Sequence, residues 1–96
     1  MIVETITFRL KPDVDEAAFL DADARVQTDL YYAHRGCLRR TTARAADGEW
    51  LVVVLWSTSG EADAAVGRAP TDDAARAFGA FLDEATIRTK RYTPLD

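Results

Sequence analysis

Ninety-six residues, 48% of them hydrophobic and 29% charged, make one domain, small enough that its stability is marginal unless further surface is buried, as in an oligomer. That much apolar side chain with both signs of charge excludes an intrinsically disordered chain. Sixteen acidic against twelve basic side chains, a net charge of -4, repel a phosphate backbone and argue against a nucleic-acid partner.

Ile2 to Leu10 alternates, with Ile6, Phe8 and Leu10 to one side and Thr5, Thr7 and Arg9 to the other, and predicts a first strand. The opening MIVETITFRL has Glu4 inside its apolar stretch and lacks the basic start and cleavage site of a signal peptide. No apolar run reaches membrane-spanning length, so the expectation is a cytoplasmic protein without a membrane segment. Asp13 with Glu16 reads as a capping box, predicting one amphipathic helix from Val14 to about Tyr32. Phe19, Ala22, Val26 and Leu30 form its buried stripe, and Asp15, Asp21, Asp23, Arg25 and Asp29 its solvated face. Ala33 to Gly36 breaks the pattern.

Cys37 to Ala45 predicts a second strand. Cys37 is the single cysteine, so there is no intrachain disulfide and no cysteine-based zinc site, in keeping with a reducing compartment. Asp47-Gly48 then signals a tight hairpin. A two-residue loop there sets Ala43 opposite Val52, Thr41 opposite Val54 and Arg39 opposite Trp56. The third strand, Glu49 to Ser57, is oily on both faces: Trp50, Val52, Val54 and Trp56 on one, Leu51, Val53 and Leu55 on the other. Thr58 with Glu61 opens a helical region that Pro70 interrupts and Thr71 restarts, with Ala74, Phe78, Phe81 and Leu82 turned inward. Thr86 to Thr93 predicts a fourth strand, ended by Pro94.

The order β-α-β-β-α-β predicts a ferredoxin-like α+β fold over residues 1–96: a four-stranded antiparallel sheet in the order 4-1-3-2, with both helices on one face. The Trp50–Trp56 face then meets the helices and the Leu51–Leu55 face is left over. Exposing that strip costs about 1.5 kcal/mol or more per large side chain. The expected cover is the same face of a second copy, a homodimer through its sheets.

The segments FRLKPDVDEAAF, HRGCLRRTTAR and DGEWLVVVLWSTSGEADAA resemble the dimeric α+β barrel superfamily, and within it the antibiotic-biosynthesis monooxygenase-like group, over nearly the whole chain. The resemblance implies ligands held in each subunit between sheet and helices. It also implies activities that include cofactor-independent oxygenation of polycyclic aromatic phenols and haem degradation. Trp56 matches the tryptophan that lines the pocket of the oxygenases. The chain departs from their pattern at Val52, where they carry an asparagine, and at Ala62, where they carry a tyrosine. The haem-degrading members need an asparagine and a histidine on the second helix; this chain has no asparagine, and its one histidine, His34, lies in another loop. That argues against haem degradation.

Trp56 and Arg39, facing each other in the expected register, either hold a flat anionic ligand by stacking and a forked hydrogen bond or pack together for stability. His34 is either a proton carrier or an idle loop histidine, and Cys37 a packed residue rather than a nucleophile. Tyr31, Tyr32, Phe78, Phe81 and Tyr92 either surround an aromatic ligand or are core. No metal-ligand spacing is present and no cofactor is implied. Alanine abundance, ten arginines to two lysines and the missing asparagine suggest a GC-rich bacterial genome. Two readings of function follow. One is a cofactor-independent monooxygenase-like protein binding a small aromatic or polyketide-like compound, with Trp56 as wall, Arg39 as anion anchor and His34 as proton carrier. The other is a non-catalytic dimeric ligand-binding or interaction protein.

Overall fold

The computed structural model describes residues Met1–Asp96. Four extended segments, β1 (Ile2–Phe8), β2 (Cys37–Arg44), β3 (Trp50–Trp56) and β4 (Arg88–Tyr92), pair antiparallel in the order β2-β3-β1-β4, the ferredoxin-like α+β arrangement that the element order predicts. Helices α1 (Glu16–Val26), α2 (Ser59–Arg68) and α3 (Asp73–Gly79) supply the second layer. Phe8, Phe19, Trp50, Val52, Val54, Trp56, Ala62 and Leu82 form the main core between the layers. Leu51, Val53 and Leu55 are half-buried on the opposite face, in register with Thr7, Thr5 and Val3 of β1. No helix is long and apolar enough to cross a membrane.

The caps and boundaries of several elements differ from the sequence expectations. Asp13 sits at φ 64, in the left-handed region, and the cap of α1 is Asp15, whose side chain accepts from the Ala17 N–H at 3.0 Å. The single predicted helix also changes pitch: Gln27–Tyr31 is a π-helical turn, with the Tyr32 N–H donating to the Gln27 carbonyl. The helix after Pro70 is capped by Asp72, which accepts from the Ala75 N–H at 2.9 Å, while the Thr71 hydroxyl turns back to the Arg68 carbonyl. Thr86, expected in β4, closes a 3-10 turn instead: its hydroxyl donates to the Asp83 carbonyl and accepts from the Arg9 N–H.

The β2–β3 register differs from the expected one by one residue. Thr42, not Ala43, lies opposite Val52, and Arg40, not Thr41, opposite Val54; Cys37, not Arg39, faces Trp56 across a bulge between Cys37 and Arg39. A two-residue turn needs positive φ at both central positions, but among Asp47 and Gly48 only Gly48, at φ 90, adopts it. The loop takes three residues instead. The Ala45 N–H bonds the Glu49 carbonyl at 2.7 Å, and the Gly48 N–H bonds the Ala45 carbonyl at 3.0 Å. That is a type I turn followed by a left-handed glycine. Because side chains alternate with period two, the one-residue shift turns β2 over. Arg40 enters the core, and Arg39 joins the outer face.

Candidate functional site

Period two places Ile2, Glu4, Ile6 and Phe8 of β1 on the helix-facing side, so a carboxylate lies among apolar residues. The Glu4 side chain is only 4% exposed, and two donors meet its carboxylate there. The Trp56 Nε1–H donates to Glu4 Oε1 at 3.3 Å, and the Arg91 Nε–H donates to Oε2 at 3.1 Å. Arg91 stands opposite Glu4 on β4, and its other arm reaches Asp63 on α2 at 2.7 Å. The hydrogen bonds to Asp63 and Glu4 push the guanidinium pKa above its usual value, so the cation is secure at any ordinary pH.

A cavity of about 160 Å³ opens beside this carboxylate, between the sheet and α2. Its walls are Trp56, Tyr31, Leu30 and Ile6, and Ala62 and Ala65 of α2 leave the room, with exposed Val66 and Thr89 at the solvent side. The Tyr31 ring lies 5.9 Å from the Trp56 ring, tilted by 36°. Burial raises the Tyr31 phenol pKa, an effect partly offset by the Arg40 guanidinium 4.7 Å over the ring, so the hydroxyl stays protonated near neutrality. The space is close to that of an apolar cavity known to admit benzene, about 150 Å³, and well below the roughly 300 Å³ at which drug-sized pockets begin. It has room for one ring.

Trp56 lines the cavity. Neither Arg39 nor His34 does. Arg39 is exposed, opposite Leu55, with its Nε 3.5 Å from the Thr41 hydroxyl; the anion anchor expected from the shorter hairpin is on the wrong face of the sheet. His34 is not an exposed loop histidine either. Its side chain is 16% exposed, its Nδ1 is 3.8 Å from Glu61 Oε2, and its ring meets the Trp56 ring edge-on at 6.3 Å. Its Nε2 is buried with no hydrogen-bond partner. Gly36 lets this loop approach α2, since a Cβ there would lie 2.2 Å from Glu61 Cγ. Cys37 is buried, and burial pushes its thiol pKa up, which suits a packed residue and not a nucleophile.

Glu4, Arg91 and Arg40 are the residues that sequence reasoning passed over. The Arg40 side chain is fully buried, bonded to Asp23 at 2.8 Å and Gln27 at 3.3 Å, with its guanidinium 4.7 Å from the Tyr31 ring and 5.7 Å from the Phe78 ring. It props Tyr31, and so the cavity wall, from behind. The alternation of β1 carries the signal for Glu4; Arg91 is recognisable only once β4 is paired with β1. A larger open groove of about 530 Å³ at Arg25, Asp29, Arg68 and Asp72 is a surface feature whose long charges already pair as Arg25–Asp29 and Arg68–Asp72.

No family model and no curated protein matches this chain. Solved structures do. SnoaB, a cofactor-independent oxygenase from Streptomyces nogalater, is 18% identical and superposes with a TM-score of 0.81 over 99% of this chain and 93% of its own. A Bordetella bronchiseptica protein, provisionally named an antibiotic biosynthesis monooxygenase, is 20% identical with a TM-score of 0.81 over 98% of this chain and 96% of its own. Rv0793 from Mycobacterium tuberculosis is 22% identical with a TM-score of 0.73 over 99% and 95%. The chain shares the fold of these solved structures. At these identities the likeness carries the fold and leaves the chemistry to the residues of this chain.

Proposed function

We propose that this protein is a homodimer that binds a single-ring aromatic compound, or a polyketide-like fragment of that size, in the cavity beside Trp56, and acts on it as a cofactor-independent monooxygenase. The observation that carries the reading is the cavity itself: two aromatic walls and an apolar floor around one buried carboxylate. Conversion of a phenol to a quinone needs no outside reductant. The substrate supplies all the electrons, one atom of dioxygen enters the ring, and the other leaves as water. The protein's part is to orient the ring, exclude water and stabilise charge as it develops. With Arg39 on the outer face, anchoring falls to groups within the cavity.

The half-buried Leu51, Val53 and Leu55 strip supports the dimer, with the outer face of a second sheet as its cover. Val53→Asp is expected to convert a dimer to a monomer in sedimentation equilibrium; a wild-type monomer at micromolar concentration overturns the assembly. The ligand reading is tested by thermal shift and oxygen uptake with single-ring phenols against wild type and Ala65→Leu. Ala65 is 4% exposed on the cavity wall, and leucine there fills the space. Binding and oxygen uptake by wild type, both lost in the filled variant, are expected. Binding without oxygen uptake leaves the second reading, a non-catalytic ligand-binding dimer, which the small size of the cavity favours.

A further inference from the structure

A carboxylate inside an apolar cavity is costly unless it is paired and hydrogen-bonded. Packing alone does not call for one: Glu4 holds an inward position between Ile2 and Ile6, where its neighbours opposite are Val54 on β3 and Arg91 on β4. The carboxylate has about four acceptor positions. Two are engaged, one on each oxygen, by Trp56 and Arg91. Glu4 nevertheless lines the cavity, and it is the one carboxylate among walls that otherwise comprise Tyr31, Thr89, Ile6, Leu30, Trp56 and small apolar residues from Ala62 to Ala69.

From this we propose that Glu4 is the specificity-determining residue of the cavity: it accepts a hydrogen bond from the hydroxyl of a neutral, single-ring ligand and turns anionic ligands away. The inference rests on the reading that this cavity is the ligand site. Charge selects the neutral form from both directions. An anionic ring would bring a second negative charge against the carboxylate in a low-dielectric space. A cationic ring would have to give up its hydration for a carboxylate that already has Arg91 as its counter-ion at 3.1 Å. A neutral hydroxyl loses little on desolvation and gains a charge-assisted hydrogen bond. Trp56 and Arg91 act as positioning residues, since each holds one oxygen of the carboxylate.

The test uses four probes of one size at pH 7: phenol, toluene, benzylamine and benzoate. Their affinities for the wild-type protein are measured by calorimetry or ligand-observed NMR, with Ala65→Leu as the filled-cavity control and Glu4→Gln as the charge control. A hydrogen bond to a charged acceptor contributes about 1.5–3 kcal/mol, so phenol should bind roughly tenfold or more tightly than toluene. Benzoate and benzylamine should bind more weakly than phenol. In Glu4→Gln the preference for phenol over toluene should shrink and the exclusion of benzoate relax. Should the variant not fold, the wild-type series decides by itself. Toluene or benzoate matching phenol in wild type, with all binding lost in Ala65→Leu, overturns the role of Glu4 and leaves the cavity as the ligand site. If no probe binds wild type, the cavity reading falls, and the Glu4 proposal with it.

Discussion

Replacing Arg40 with methionine probes the corrected hairpin and the cavity wall together. The Arg40 side chain is fully buried, holds Asp23 at 2.8 Å and Gln27 at 3.3 Å, and stacks over Tyr31 at 4.7 Å. Methionine keeps most of the stem but leaves Asp23, only 13% exposed, without its counter-charge. Breaking a buried pair from one side costs about 3–5 kcal/mol. Asp23 keeps the Thr42 hydroxyl at 2.9 Å, which places the expected loss near the lower end, at about 3 kcal/mol. A chain of this length has a total stability of roughly 5–15 kcal/mol, and each kcal/mol moves the midpoint by about 4–8 °C. The expected drop in Tm is therefore about 12–24 °C, read by circular dichroism and checked by urea unfolding. Arg39→Met, on the exposed outer face, should stay within about 0.5 kcal/mol. The Arg40→Met, Asp23→Leu double variant should recover much of the loss, because no charge then remains buried alone. Equal effects at positions 39 and 40, or a larger one at 39, would refute the three-residue loop and the inward arginine.

Gly36→Ala sets a Cβ 2.2 Å from Glu61 Cγ and 2.6 Å from its Cβ, so α2 or the His34 loop must move. The expected cost is about 1–3 kcal/mol by urea unfolding. Adding Glu61→Ala should recover only part of it, because the Cβ contact stays; full tolerance of Gly36→Ala would show that the loop does not seat against α2. Burial raises the Tyr31 pKa, so at alkaline pH the unfolded chain gives up this proton first and the folded state binds more protons. That contribution to stability is complete below the unfolded value of about 10 and is lost as pH rises above it. Alkaline titration by ultraviolet absorbance should show one of the three tyrosines ionising late, and Tyr31→Phe should remove that phase and its stability slope. Three tyrosines titrating together would count against the packed phenol.

Local signals determined most of the architecture. Alternation in Ile2 to Leu10, the two-faced apolar run from Glu49 to Ser57 and the helical spacing of Phe19, Val26 and Leu30 each depend on residues a few positions apart, and each predicts an element that is present, with ends that differ by a few residues and a change of pitch at Gln27. The strand order follows as well, because few topologies connect β-α-β-β-α-β without a crossing. The candidate site was only half legible. Trp56 could be placed on the inner face from the chain alone, and Glu4 shares the inward alternation of β1. Which arginine enters the core was decided by one backbone angle, since Asp47 does not adopt the positive φ that the shorter loop demands, and a one-residue slip exchanges the faces of a strand. The partner of Glu4 comes from 87 residues away, across a strand pairing that no local pattern encodes. Periodicity is a property of neighbours along the chain and can be read there. Pairing register and the balance of buried charge are properties of the closed sheet, and they came into being only when the two ends of the chain met.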